Sequence, residues 1–288
     1  MNMQKIQASD LKIKKITNGS NKSIIYLLED ESILKLYNTK LLSILKKLGI
    51  DHEKKILDAK ELTNVPEIMT PKKAVYDGNI FIGYTMSKAL GQDYNTYDDN
   101  LSLKDRENLL HYIKRHLLLE DIVKRSNKEN IVFPDLCTCD NIFINGDRIS
   151  LIDYDGLQVK EHRVDTISTS LGEPSQYYKN RKYMTEDNLF TSELDKKSLI
   201  ILFFLTTFNI NLNKVGTKTM GQTITLDDIF YFIGLEDYDI MNKVWKIFNN
   251  EVSNEFLGDD LYRLYDNYQL KVLNQVANNQ YIKKLIKK

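Results

Sequence analysis

Short apolar runs with tight polar connections open the chain. "LKIKKI" (11–16), "SIIYLLE" (23–29) and "ILKLY" (33–37) are separated by "TNGSNK" and "DES", a pattern that predicts three strands of an antiparallel meander. "KLLSILKKL" (40–48) and "DHEKKILDAKEL" (51–62) then place apolar residues three and four apart, the spacing of a helix. "AVYDGNIFIGYTMS" (74–87) returns to strand, with Asp-Gly-Asn as the turn of a hairpin. The pattern changes at Leu101. "SLKDRENLLHYIKRHLLLEDIVKRS" (102–126) predicts a long amphipathic helix starting at Ser102. A second hairpin, "NIFINGDRISLID" (141–153), turns at Asn-Gly, and from Asp195 onward the chain reads mostly as helix, with a loop at "GTKTMGQTIT" (216–225). The predicted class is α+β: a strand-rich part (1–86) with an antiparallel sheet and a helix, a connector (87–91), and a larger, mostly helical part (92–288). Two lobes with a cleft between them is the expected shape.

Composition narrows the partners. Lys and Arg total 40 and so do Asp and Glu, giving zero net charge, so there is no global electrostatic case for nucleic acid. The two cysteines, Cys137 and Cys139, have one residue between them and cannot staple a fold; a reducing cytoplasm fits. "MNMQKIQASDLKIKK" carries charges without an apolar run, so no secretory leader is expected. "SLIILFFLTTF" (198–208) is too short to span a bilayer and is expected to be a buried helix.

Candidate chemistry concentrates in "NIVFPDLCTCDNIFINGDRISLIDYDG" (130–156), which holds five aspartates among apolar runs made for burial. Buried carboxylates need positive partners. The second hairpin brings Asn141, at the start of one strand, and Asp153, at the end of the other, to the same end of the pair. Oxygen donors converging there suit a hard divalent cation that is shared with phosphates. Asp135, in the preceding loop, is then placed to accept a proton from an attacking hydroxyl. Asp155 reads as a turn residue before Gly156, with a second carboxylate for the metal as the alternative, and Leu57, Phe133 and Tyr154 read as core contacts.

In this stretch the chain resembles the protein kinase family. "NIVFPDL" followed by Asn141 is similar to the catalytic loop, and "DYDG" to the Asp-Phe-Gly magnesium motif. The resemblance continues in order along most of the chain and implies the other roles. Lys35 in "ILKLY" corresponds to the lysine on the α- and β-phosphates, with Glu53, or alternatively Glu61, as its helix partner. Gly19 stands in the loop over the phosphates. Met86 is the gatekeeper, Ser87 to Ala89 offer backbone groups to adenine, Phe143 is the floor beneath it, and Asp93 meets the ribose. Asn141 and Asp153 hold Mg²⁺ or Mn²⁺, and Asp135 is the base. "LGEPSQYY" (171–178) resembles the end of an activation segment, with Tyr177 and Tyr178 expected to pack inside, and Asp195 ties down the catalytic loop backbone.

The chain also departs from the family pattern. Gly19 is the single glycine of "TNGSNKS", Phe133 and Pro134 precede Asp135, and Asn141 follows Asp135 by six residues rather than five. Asp140 is thus an alternative acid, and Cys137 stands where a lysine is usual. The implied function is an ATP- and Mg²⁺-dependent cytoplasmic protein kinase acting on an unidentified protein substrate, with no nucleic acid partner and no membrane span. A kinase acting on a small molecule and a pseudokinase that binds without turnover are the competing readings.

Overall fold

The computed structural model describes residues 3–20, 22–62, 64–94, 106–164, 183–187, 189–208, 210, 212, 215, 218–219, 222–223, 225–248 and 256–267. The expected activation-like stretch, including Tyr177 and Tyr178, the expected helix start at Ser102 and the basic end "YIKKLIKK" lie outside the described residues.

The fold is mixed α+β. Its main sheet is formed by β1 (Gln4–Gln7), β2 (Ile13–Gly19), β3 (Ser23–Leu28), β4 (Ile33–Tyr37), β5 (Pro71–Asp77) and β6 (Ile80–Met86) in the spatial order β1-β5-β6-β4-β3-β2. The predicted meander is β2-β3-β4 and the predicted hairpin is β5-β6. The added edge strand β1 runs parallel to β5, a pairing that no local alternation announces. Between β4 and β5 lie helices α1 (Thr39–Lys47) and α2 (His52–Leu62). Asn38 caps α1 with its side chain, accepting from the backbone of Lys40 and Leu41. In α2 the buried positions His52, Lys55, Ile56 and Ala59 recur at intervals of three and four, so one stripe of the helix faces the core.

Beyond Met86, β7 (Gln92–Asp93) leads to the long helix α3 (Arg106–Lys128), then to β8 (Ile131–Val132), β9 (Ile142–Asn145), β10 (Arg148–Leu151) and β11 (Gln158–Val159). The predicted second hairpin is β9-β10, and β7 joins its β9 edge; β8 pairs with β11. Further helices among the described residues are α4 (Ser192–Phe208), α5 (Leu226–Ile233), α6 (Tyr238–Phe248) and α7 (Leu261–Asn267). The stretch 216–225, expected as a loop, contains the two-residue strands β12 (Lys218–Thr219) and β13 (Gln222–Thr223). Helix α4 is buried on nearly all sides, as its apolar run predicts. No helix among the described residues is long and apolar enough to cross a membrane.

One hydrophobic cluster joins the main sheet and α2 to α3 and the β9-β10 hairpin, through residues such as Ile56, Tyr84, Ile122, Ile144 and Tyr154. A second fills the space among α3 to α7 around Phe203, Phe204 and Phe230. Two further ties fasten the segment before β5, one to the hairpin and one to α3. Ile68 bridges to Leu151, and Arg125 of α3 grips Glu67 with both terminal guanidinium nitrogens, at 3.0 and 2.8 Å.

Strand β6 approaches β4 closely at one point. A Cβ at Gly83 would stand 2.1 Å from the carbonyl oxygen of Lys35, so only glycine fits beside the residue whose side chain matters most below. Gly83→Ala is expected to lower the unfolding free energy by about 1–3 kcal/mol, as overpacked sites do. An unchanged denaturation midpoint would show that the two strands are not pressed together there.

Candidate functional site

Lys35 lies in the middle of β4, where its Cα partners are Ile25 of β3 and Tyr84 of β6. Cross-strand neighbours share a face of the sheet, and Lys35 and Tyr84 both aim at the turn that follows β10. The Lys35 ammonium binds the Asp153 carboxylate directly and donates to Asp155 Oδ1 at 2.8 Å. Tyr84 donates its hydroxyl to the same Asp155 oxygen at 2.7 Å. Both Lys35 and Asp155 are buried, each 7 % exposed.

The electrostatics follow from this geometry. Burial pulls the Lys35 ammonium down, but the Asp155 and Asp153 charges outweigh it and hold its pKa above the ordinary lysine value. Burial by itself would raise the Asp155 carboxyl; the charges of Lys35 and His52 and the hydrogen bonds from Lys35 and Tyr84 bring it well below the usual range. Asp153 moves the other way, raised first by burial and further by its Asp155 neighbour, against the pull of Lys35. Two carboxylates around one ammonium thus have unlike environments.

The turn itself is bent for this purpose. Asp153 has φ 67 and ψ 49, a left-handed conformation that costs a non-glycine residue about 1–3 kcal/mol and tends to occur at functional positions. A Cβ on Gly156 would come within 2.4 Å of Asp153 Oδ2, so glycine leaves the carboxylate its space.

Asn141 and Asp153 sit at the same end of the hairpin, and the backbone N–H of Ile152 donates to the Asn141 carbonyl at 2.9 Å. Both line a cleft together with Phe133, Asp135, Gly156 and Leu157. Asn141 Nδ2 donates to Asp135 Oδ2 at 3.4 Å. Between Asp135 and Asn141 the chain forms a short 3-10 turn (Leu136–Thr138) and passes through Cys139 at φ 65, and the two side chains meet. Cys137 and Cys139 are both buried, while Asp140 is exposed to solvent. Among the described residues no three His, Cys, Asp or Glu side chains form a cage for a metal. The donors at the cleft are the Asn141 amide oxygen and carboxylates, a set that suits a hard cation completing its shell with water and phosphate.

The loop is held from behind. Asp195, fully buried on α4, accepts from the backbone N–H of Phe133 at 2.8 Å, the contact expected from the sequence. The Asn127 amide, with its nitrogen toward Asp195, donates to Oδ2 at 2.7 Å and to the Ile131 carbonyl at 2.8 Å. Asn127 was not anticipated; its place on the last turn of α3, just before the loop, is the signal that marks it.

The expected partner of Lys35 is corrected. Glu53 does not pair with it: Glu53 accepts from the Tyr76 hydroxyl at 3.0 Å and lies 3.7 Å from the Lys46 ammonium. The reason is helical phase, since Glu53 follows His52 and falls beside the buried stripe of α2 rather than on it. Glu61 is exposed and is not the partner either. From that stripe Lys55 reaches inward, its ammonium donating to the Asp155 carbonyl at 2.8 Å and to the Leu157 carbonyl. Asp155 is likewise more than a turn residue. Its carboxylate neutralises Lys35 together with that of Asp153.

The other expected positions are spread over several elements. Met86 is buried in the first core cluster; Ser87 and Ala89 are half-buried in the connector. Asp93 of β7 faces Phe143 of β9 as a Cα pair. Gly19 ends β2 opposite Ile24, at the hairpin closed by Ser20 and Ser23. Phe133 and Tyr154 are core residues, with Leu57 packed against them.

In comparisons with known proteins, no family model matches the chain and no curated protein is similar to it in sequence. Asp195→Ala would leave the Phe133 N–H and the Asn127 amide without their acceptor. It is expected to cost about 1–3 kcal/mol and to speed hydrogen exchange at the Phe133 amide. Exchange as slow as in the unaltered protein would show that the loop is anchored elsewhere.

Proposed function

We propose that this protein is an ATP- and Mg²⁺-dependent phosphotransferase of the protein kinase-like kind, with lobes 1–86 and 92–288 joined through 87–91. The observation that carries this reading is the meeting of the Lys35 ammonium, from the sheet, with the Asp153 carboxylate beside Asn141 and Asp135. Such a set combines a cation for phosphate oxygens, oxygen donors for a divalent metal, and a carboxylate for the acceptor's proton.

In this reading the nucleotide lies along the connector. Met86, Ser87 and Ala89 border the adenine, Phe143 lies under it, and Asp93, across from Phe143, meets the ribose. Gly19 ends the strand whose turn overlies the phosphates, and Lys35 binds them. Asn141 and Asp153 hold Mg²⁺, or Mn²⁺, which neutralises phosphate charge when bound. Asp135 takes the proton of the acceptor hydroxyl; that oxygen bonds to the γ-phosphorus while the bond to the β–γ bridging oxygen breaks, and ADP leaves. The long segment between Asp153 and Asp195 supports a protein as the acceptor.

One feature favours a second reading. Lys35 is neutralised by two carboxylates, so the site can also be that of a pseudokinase which binds nucleotide without turnover. Incubation with γ-labelled ATP and Mg²⁺ or Mn²⁺ separates the two. The enzyme is expected to label itself or a generic acceptor protein, to lose the activity in chelator, and to lose about a hundredfold or more in Asp135→Ala. Thermal stabilisation by Mg²⁺-ATP without any labelling assigns the pseudokinase. Neither stabilisation nor labelling contradicts both.

A further inference from the structure

The two carboxylates that share Lys35 are not equivalent. Asp155 is held from several directions: Lys35 at 2.8 Å and Tyr84 at 2.7 Å bind its side chain, and Lys55 at 2.8 Å binds its backbone carbonyl. Its side chain is 10 % exposed, whereas that of Asp153 is 27 % exposed and lines the cleft. Lys55 is itself only 1 % exposed and fastens α2 to the 155–157 turn through two carbonyls. Glu53 takes no part, being engaged by Tyr76 and Lys46.

We propose that Asp155 is the positioning residue of Lys35, and that Lys55 locks the turn carrying Asp155 to helix α2, so that the ammonium is held by the same turn that presents Asp153. The inference rests on the phosphotransferase reading for its meaning in catalysis. Its consequence is a division of labour within "DYDG". Asp155 keeps Lys35 in place throughout, and Asp153, the more exposed of the two, exchanges the ammonium for a cation when nucleotide arrives. Lys35 and Asp153 then keep their relative position because one turn fixes both. Alignment of the site does not depend on an acid from α2, and that helix contributes a lysine that grips backbone instead.

The test uses the full chain with Asp155→Asn, Tyr84→Phe and Glu53→Gln, each checked for folding by its melting temperature. Acetylation of Lys35 by acetic anhydride, followed by mass spectrometry, reads how firmly the ammonium is held without requiring turnover. Asp155→Asn is expected to speed this acetylation several-fold and Tyr84→Phe to do so less, while Glu53→Gln leaves it unchanged. Binding of Mg²⁺-ATP gives the second readout. Asp155→Asn is expected to weaken it about tenfold in the native background and to have no further effect once Lys35 is replaced by Met, the coupling of a pair that acts as a unit.

A purely structural role would lower stability without this coupling and would overturn the proposal. Glu53→Gln exposing Lys35 as much as Asp155→Asn does would overturn it too. If Asp155→Asn fails to fold, Tyr84→Phe decides: faster Lys35 acetylation supports the proposal, and a native rate contradicts it. Failure of the phosphotransferase reading looks different, because Mg²⁺-ATP then gives the native protein no protection of Lys35 while the pattern among the variants stands.

Discussion

The structure depends on one buried ammonium between two carboxylates of a single turn. Burying a charge is costly, and the cost is met only where partners and hydrogen bonds are complete. Lys35 meets Asp153 and Asp155, Tyr84 completes Asp155, and Lys55 satisfies the carbonyls of the turn. Removing one member of such a network typically costs about 3–5 kcal/mol, because the remaining charge is left buried and unpaired. The surrounding sequence choices follow from it. Gly83 lets β6 lie against the Lys35 backbone and Gly156 makes room for the Asp153 carboxylate. The interaction spans 120 residues of chain, from Lys35 of β4 to Asp155 in the turn after β10, and so ties the sheet to the hairpin region.

Around this point the molecule divides rigid support from exposed chemistry. Asp195 and Asn127 hold the backbone on the inner side of the loop, while Asp135 and Asn141 stand on the cleft side in contact with each other. Buried carboxylates thus hold the backbone and the ammonium in place, while the Asp153 side chain stays partly exposed. Asp153 belongs to both groups, paired with Lys35 yet accessible from the cleft.

Local pattern made much of this legible. Alternation and turn residues located β2 to β6 and the β9-β10 hairpin, and hairpin geometry alone put Asn141 and Asp153 at one end. The parallel edge strand β1 and the short β8-β11 pair were not legible, because their partners are far away in sequence and their runs are only a few residues long. The site was misread where one residue of helical phase mattered. Glu53 has the right charge, but the buried stripe of α2 runs through His52, Lys55, Ile56 and Ala59; a lysine inside an apolar stripe was the available signal. Asp155 was read as a turn residue because its neighbour Gly156 suggests one, and only the tertiary approach of Lys35 and Tyr84 distinguishes it.

The proposal is that this ammonium and these oxygens form one nucleotide and cation site. A crystal structure of the protein with Mn²⁺ and a non-hydrolysable ATP analogue would show it. Expected are an anomalous peak bound by Asn141 and Asp153, phosphate oxygens within hydrogen-bond distance of Lys35, and Lys35 still paired with Asp155. Nucleotide bound elsewhere, or a metal that leaves Asn141 and Asp153 untouched, would contradict it.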